Sequence, residues 1–339
     1  MKNLFLASIF VVGSCFSTFA QTAEQYMHAV TEDFQNLSIE VWDYTKRAKN
    51  SGDINSAEGT RAGVFTKLEA ADKKLSTKGG WKNDLRLNSA IHNYYEVAKT
   101  ALSVDYKNLA FLEKSKNTSL VAMTKFLDEE KRVRDKMFES AKTAVVAHDD
   151  FSKRNKLNIA SDNTGIYKRI GLTARVYDYY AIVYLLTFKC IALENELLEA
   201  IAANDFVKMG EIKISMVEAA KSGLITIRKM TPFEGKDDRF RMPTNKLLTF
   251  YKMEGETHVP KQIKYFEAKK HFEDHVKKMK SMKKRTKQDV TNFNKERMSF
   301  KKHTELYNRE NNGINSKRTY AVNVWNNDAR NFVELNVPE

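Results

Sequence analysis

Residues 104–155 contain neither glycine nor proline. Along the same stretch Leu109, Leu112, Leu120, Met123, Phe126, Val133, Met137, Ala141, Ala144 and Phe151 recur at intervals of three, four, seven or eight positions. A strand cannot keep such residues on one side, because its side chains alternate faces with a period of two. One face of an α-helix returns every 3.6 residues and can. With 13 glycines and 4 prolines in 339 residues, the chain also has too few turn formers for a turn-rich β architecture. The fold class predicted is all-α.

The breaks between apolar seams set the organisation. A first helix spans residues 23–49 and turns at Ser51-Gly52-Asp53; a second runs to about Leu75 and stops at Gly79-Gly80. A third carries Leu85, Ile91, Tyr94 and Tyr95, and a very long fourth follows, which the polar patch 114–119 can interrupt. The order then repeats: a seam from Tyr180, a turn at Asn204-Asp205, a helix over 207–230, a break at 231–235, a segment over 245–251, and a last long segment from Pro260 to Gly313. Landmarks pair at separations of 152 to 156: Asp53 with Asp205, Asp84 with Asp238, Tyr94-Tyr95 with Phe250-Tyr251, Phe151 with Leu306 and Arg154 with Arg309. The expectation is elongated helical bundles, two tandem related four-helix units over 21–160 and 161–315 with a long last helix in each. The tail 316–339, with Tyr320, Val322 and Val324 alternating, is expected to pack on the bundle as an irregular segment.

Residues 1–20 place Lys2, an apolar core over 4–12 and small residues closing at Ala20, the order of a secretory signal peptide, with a mature chain from Gln21. That core is too short to cross a bilayer roughly 30 Å thick. Val12-Gly13-Ser14-Cys15 resembles the box cleaved before a lipid-modified cysteine, an alternative that would tether the chain at Cys15. Both readings predict export to the periplasm or cell surface, without a transmembrane helix in the mature chain. Beyond the signal only Cys190 remains, so no disulfide forms within the mature chain. Its apolar neighbours predict a buried packing residue rather than a nucleophile.

The charge is regional. Between His258 and His303 there are 15 Lys and Arg against 5 Asp and Glu, an excess of 10 out of the formal +14. Lys277, Lys278, Lys280, Lys283, Lys284 and Arg285 are the candidate contact residues for an anionic envelope component or another envelope protein. The region has no helix-turn-helix or RNA-binding signature, and export separates it from the genome, which argues against nucleic acid. His271 and His275, four apart on one helix face, are candidate metal ligands, although two ligands fall short of the three or four that zinc needs. HFEDH also misses both zinc-protease patterns.

No nucleophile elbow, phosphate-binding loop, dinucleotide fingerprint or Cys-x-x-Cys appears, and no cofactor is implied. Asp128-Glu129-Glu130 and Asp149-Asp150 are chain neighbours, which a helix spreads around its axis instead of facing them across a substrate. His148, at a seam position, reads as a satisfied core histidine. A non-enzymatic binding or structural protein is expected. The alternative is a helical carrier of a metal or small apolar ligand: Tyr94, Tyr95, Tyr177, Tyr179, Tyr180 and Tyr184 either line a pocket for an apolar or sugar ligand or fill wide seams with hydroxyls outward.

The exported start ending in Phe19-Ala20-Gln21, the lysine-rich composition and the helical body resemble the exported all-helical surface or envelope proteins of Bacteroidota. That resemblance implies a helical fold in the envelope without a defined activity. Imelysin-like iron-uptake proteins, also exported and duplicated, use a His-x-x-Glu motif. Here His92 is followed by Glu96 and His271 by Glu273, neither at that spacing.

Overall fold

The structure, a computed structural model, describes residues 21–50, 53–158 and 165–338. The signal-peptide and lipidation expectations, Cys15 included, lie outside the described residues. The fold is all-α, and among the described residues there is no strand, only isolated bridges at Trp81–Asp84 and Phe233–Asp237.

The first half contains α1 (Ala23–Asn50), α2 (Glu58–Ser76), α3 (Arg86–Thr100), α4 (Tyr106–Glu113) and α5 (Leu120–Arg154). The second contains α6 (Ile166–Ala202), α7 (Phe206–Lys229), α8 (Arg241–Met253), α9 (Val259–Ser281) and α10 (Lys287–Asn336). A π turn, Ala101–Asp105, joins α3 to α4 without a break, and another, Glu254–His258, joins α8 to α9. Polar side chains cap the starts of α5 and α7. Ser119 accepts the amide of Ala122 at 3.1 Å and Asp205 that of Lys208 at 2.9 Å, each supplying a partner to an otherwise orphan donor.

Two apolar cores follow from this layout. Tyr44, Leu68, Ile91, Tyr95, Leu102 and Phe151 are buried in the first; Phe240, Leu248, Tyr251, Trp325 and Phe332 in the second. Burying one such side chain contributes roughly 1.5–3 kcal/mol, so the cores hold the halves together without covalent staples. α6 connects them: it packs on both α5 and α7, and its Phe188 belongs to the first core.

The same local constructions occur twice. The Tyr26 hydroxyl donates to the Gly79 carbonyl at 2.9 Å, and the Tyr179 hydroxyl to the Thr231 carbonyl at 3.2 Å. Asp84 accepts the Arg86 amide at 3.1 Å and its guanidinium at 2.9 and 2.8 Å. Asp237 accepts the Arg239 amide at 3.0 Å and its guanidinium at 2.9 and 2.8 Å. These pairs, like the two π turns, stand 152 or 153 positions apart. Asn155 donates to the Phe151 carbonyl and Asn336 to the Phe332 carbonyl, both at 2.9 Å, but here the separation is 181. The additional length lies in α9 and α10, of 23 and 50 residues, where α4 and α5 have 8 and 35.

Several expectations need correction. Asp84 matches Asp237 rather than Asp238, because Asp237 and not its neighbour binds the arginine two residues on, and Phe151 matches Phe332 rather than Leu306, because a constant offset ignores the longer α9–α10 hairpin. The tail 316–339 is not irregular: α10 continues to Asn336, and Trp325, Ala329 and Phe332 recur at helical spacing into the second core. The boundary expected at 315 therefore falls inside a helix, as does Gly313, whose Cα faces open space. The last long segment instead folds back at residues 282–286, which contain no glycine or proline.

Candidate functional site

α9 and α10 run as a hairpin whose two helices are each 15 residues longer than α4 and α5, roughly 22 Å more helix at 1.5 Å per residue. At its base α9 is tied to the bundle, where Lys269 Nζ donates to Asn204 Oδ1 at 2.7 Å and Lys270 lies over the Phe206 ring at 5.5 Å. Beyond Lys270 the side-chain bonds and ring contacts stay between α9 and α10: Phe272 with Phe293 and Phe300 at 5.9 and 4.9 Å, and His275 with Phe293 at 5.8 Å. Met279 is the only buried residue between 271 and 302. This is a thin two-helix arm with an aromatic seam and a wet exterior.

Its tip is built by capping. Thr286 and Asp289 form a reciprocal capping box at the start of α10, with bonds of 3.1 and 2.8 Å. Arg285 Nε donates to the Met279 carbonyl at 3.1 Å and so satisfies an acceptor at the end of α9. Lys278 and Lys280 occupy the last turn of α9, where cations complement the helix dipole. The turn forms here because its cations and its cap both favour chain reversal over a continued helix.

All six predicted contact residues, Lys277, Lys278, Lys280, Lys283, Lys284 and Arg285, are exposed. Lys277 faces Asp274 at 3.5 Å. Among the described residues, Lys278, Lys280, Lys283 and Lys284 have no carboxylate within ion-pair distance, in contrast to Lys67, Lys74 and Lys131 on the bundle surface. Residues 271–302 hold 11 Lys and Arg against 4 Asp and Glu, half of the chain's formal +14. Uncompensated cations at the end of an arm project a positive potential that reaches about a Debye length, ~8 Å at physiological salt.

Among the described residues, the predicted metal ligands His271 and His275 gather no third donor. His271 is exposed with Nδ1 3.8 Å from Glu296, while His275 packs on Phe293. Among the described residues, the donors that do converge in a group of three are Asp72, His92 and Glu96. There His92 Nδ1 lies 2.5 Å from Asp72 Oδ1, and Lys99 Nζ reaches Asp72 at 2.7 Å and Glu96 at 2.6 Å. The ammonium already neutralises the carboxylates between which a cation would sit. Burial pushes Asp72 up, yet the bonds from Lys99 and His92 prevail and hold it below its ordinary range.

A second charged group escaped the sequence reading. Arg318 of α10 contacts Glu194 of α6 and Glu254 of the second π turn, both carboxyls are buried, and the Tyr251 hydroxyl donates to Glu194 at 2.9 Å. Gly255 permits this turn to approach α7, since a Cβ there would stand 2.6 Å from Val217 Cγ2. Burial raises Glu194, and raises Glu254 to about 7 against the pull of Arg318. π turns concentrate at functional sites. Here the group is closed in the core and serves to join three helices.

The remaining candidates fall into place by burial. Cys190 is fully buried, which pushes its thiol up to about 12 and suits a packing residue. His148 is half-buried, 3.2 Å from Asp149. Tyr94 and Tyr95 are buried in the first core, whereas Tyr177, Tyr180 and Tyr184 line a cavity of about 510 Å³ between the two cores. Among the described residues no helix is long and apolar enough to cross a membrane. No protein family, curated protein or solved structure matches the chain.

Proposed function

We propose that the protein is an exported, non-enzymatic binding protein of the bacterial envelope that meets an anionic partner through the tip of the α9–α10 arm. The observation that carries this reading is the set of exposed tip lysines without carboxylate partners, on a hairpin whose contacts beyond Lys270 are its own. Such cations cost solvation nothing in the free protein and gain Coulomb energy against a polyanion or an anionic membrane surface. The two halves are, in the same proposal, copies of one ancestral unit, supported by the tyrosine, Asp-Arg and π-turn constructions that recur 152 or 153 positions apart. The arm is then what the second copy has gained.

The test is a salt series. Binding of the chain from Gln21 is measured to vesicles with and without anionic lipid, and to an anionic polysaccharide, beside a variant with Lys277, Lys278, Lys280, Lys283 and Lys284 changed to Gln. At about 1 kcal/mol per lysine near an anionic surface, the variant loses roughly a hundredfold or more in affinity at low salt. Equal binding by both proteins would refute the reading.

A further inference from the structure

The cavity between the two cores stands apart from the arm. At about 510 Å³ it falls within the size of small-molecule sites, roughly 300–1,000 Å³. It is walled by α1, α4, α5, α6 and the end of α10, so it exists only because the two halves meet.

Its wall on α6 is a ladder of rings. Tyr180 stacks on Tyr184 with centroids 5.6 Å apart and planes at 18°, and Tyr184 continues to Phe188 at 5.8 Å. Tyr180 and Tyr184 are each only partly buried, and among the described residues neither hydroxyl has a hydrogen-bond partner. Tyr177, one turn earlier, is buried with its hydroxyl unpartnered. An apolar surface edged by free hydroxyls favours a ligand with both kinds of surface.

The ionic residues of the wall narrow the class further. Lys49 is paired with Glu130 and lies over the Tyr177 ring at 5.1 Å. Lys116 holds Glu113 at 2.8 Å, and Arg134 is paired with Asp178. The other two, Arg330 and Glu334, are exposed. Lys49, Lys116 and Arg134 thus each face a carboxylate, and an ionic ligand would have to separate such a pair; Arg134 Nε, buried without a hydrogen-bond partner, leaves one donor that a neutral acceptor can meet. We infer that this cavity binds an uncharged, ring-bearing organic molecule, its apolar face against Tyr180 and Tyr184 and its hydrogen-bonding edge toward their hydroxyls.

Two probes with one skeleton test both parts. N-phenyl-1-naphthylamine is neutral and brightens in apolar surroundings; 1-anilinonaphthalene-8-sulfonate adds one anionic group. At high salt, which screens the arm, the neutral probe should saturate at one site per chain, and the sulfonated one should bind roughly tenfold or more weakly. Val333→Trp, which fills the cavity from α10, should lower neutral-probe affinity by about tenfold at an unchanged melting temperature. Neutralising the five arm lysines should change nothing. A non-saturating neutral probe, equal affinity for the sulfonated one, or a folded Val333→Trp protein that binds as before would overturn the inference. The comparison of the two probes decides it even if Val333→Trp fails to fold.

Discussion

Arg318 faces Glu194 and Glu254 in the second core, one guanidinium against two buried carboxyls. Burial raises Glu254 to about 7, Glu194 adds to the rise, and Arg318 opposes it. The folded chain therefore binds this proton more tightly than the unfolded chain does. Its contribution is fully present below the ordinary carboxylate range and is lost as pH rises through about 7, on the order of 3 kcal/mol in all. Thermal unfolding followed from pH 5 to pH 8 should show stability falling in the native protein and a flatter profile in Glu254→Gln; parallel profiles would dismiss the assignment. This group was not legible in the sequence, because its three members sit on three helices at positions 194, 254 and 318, with nothing local to link them. The lysine cluster was legible because it is contiguous along the chain, and its exposure depends on no distant partner.

The α9–α10 hairpin shows what periodicity can and cannot resolve. Phe266, Phe272, Val276, Met279, Val290, Phe293 and Phe300 keep one apolar seam through the region, and a seam looks the same whether the helix continues or folds back on itself. The reversal was written instead in Thr286 and Asp289, a capping-box pattern at residues that carry no glycine or proline. Thr286→Ala removes one side of that box, worth about 1 kcal/mol, and should speed amide exchange over residues 287–290 by roughly fivefold while the melting temperature holds. Unchanged exchange would mean that the arm's seam, not its cap, fixes the turn. The tail misled for a related reason. Tyr320, Val322 and Val324 alternate over a short stretch, but Ile314, Trp325, Ala329 and Phe332 return at multiples of the helical turn, and burial follows the longer pattern.

Two cores, a shared connecting helix and one long arm make up the described molecule. The all-α class was fixed by the scarcity of turn formers together with helical spacing, both of which act locally. The recurring constructions were harder to align, since the extra helix of α9 and α10 lengthens the spacing of those beyond the second π turn. The arm adds almost no core, with only Met279 buried between 271 and 302, so it contributes little to stability. Its charge is what it offers. The most direct measurement replaces residues 271–302 with a short loop and follows affinity for anionic vesicles against salt, beside the intact protein. The intact protein should bind with a steep salt dependence, while the shortened one melts within a few degrees of it and binds anionic vesicles no better than neutral ones. A shortened protein that folds and still binds with the same salt dependence would contradict the proposed role of the arm.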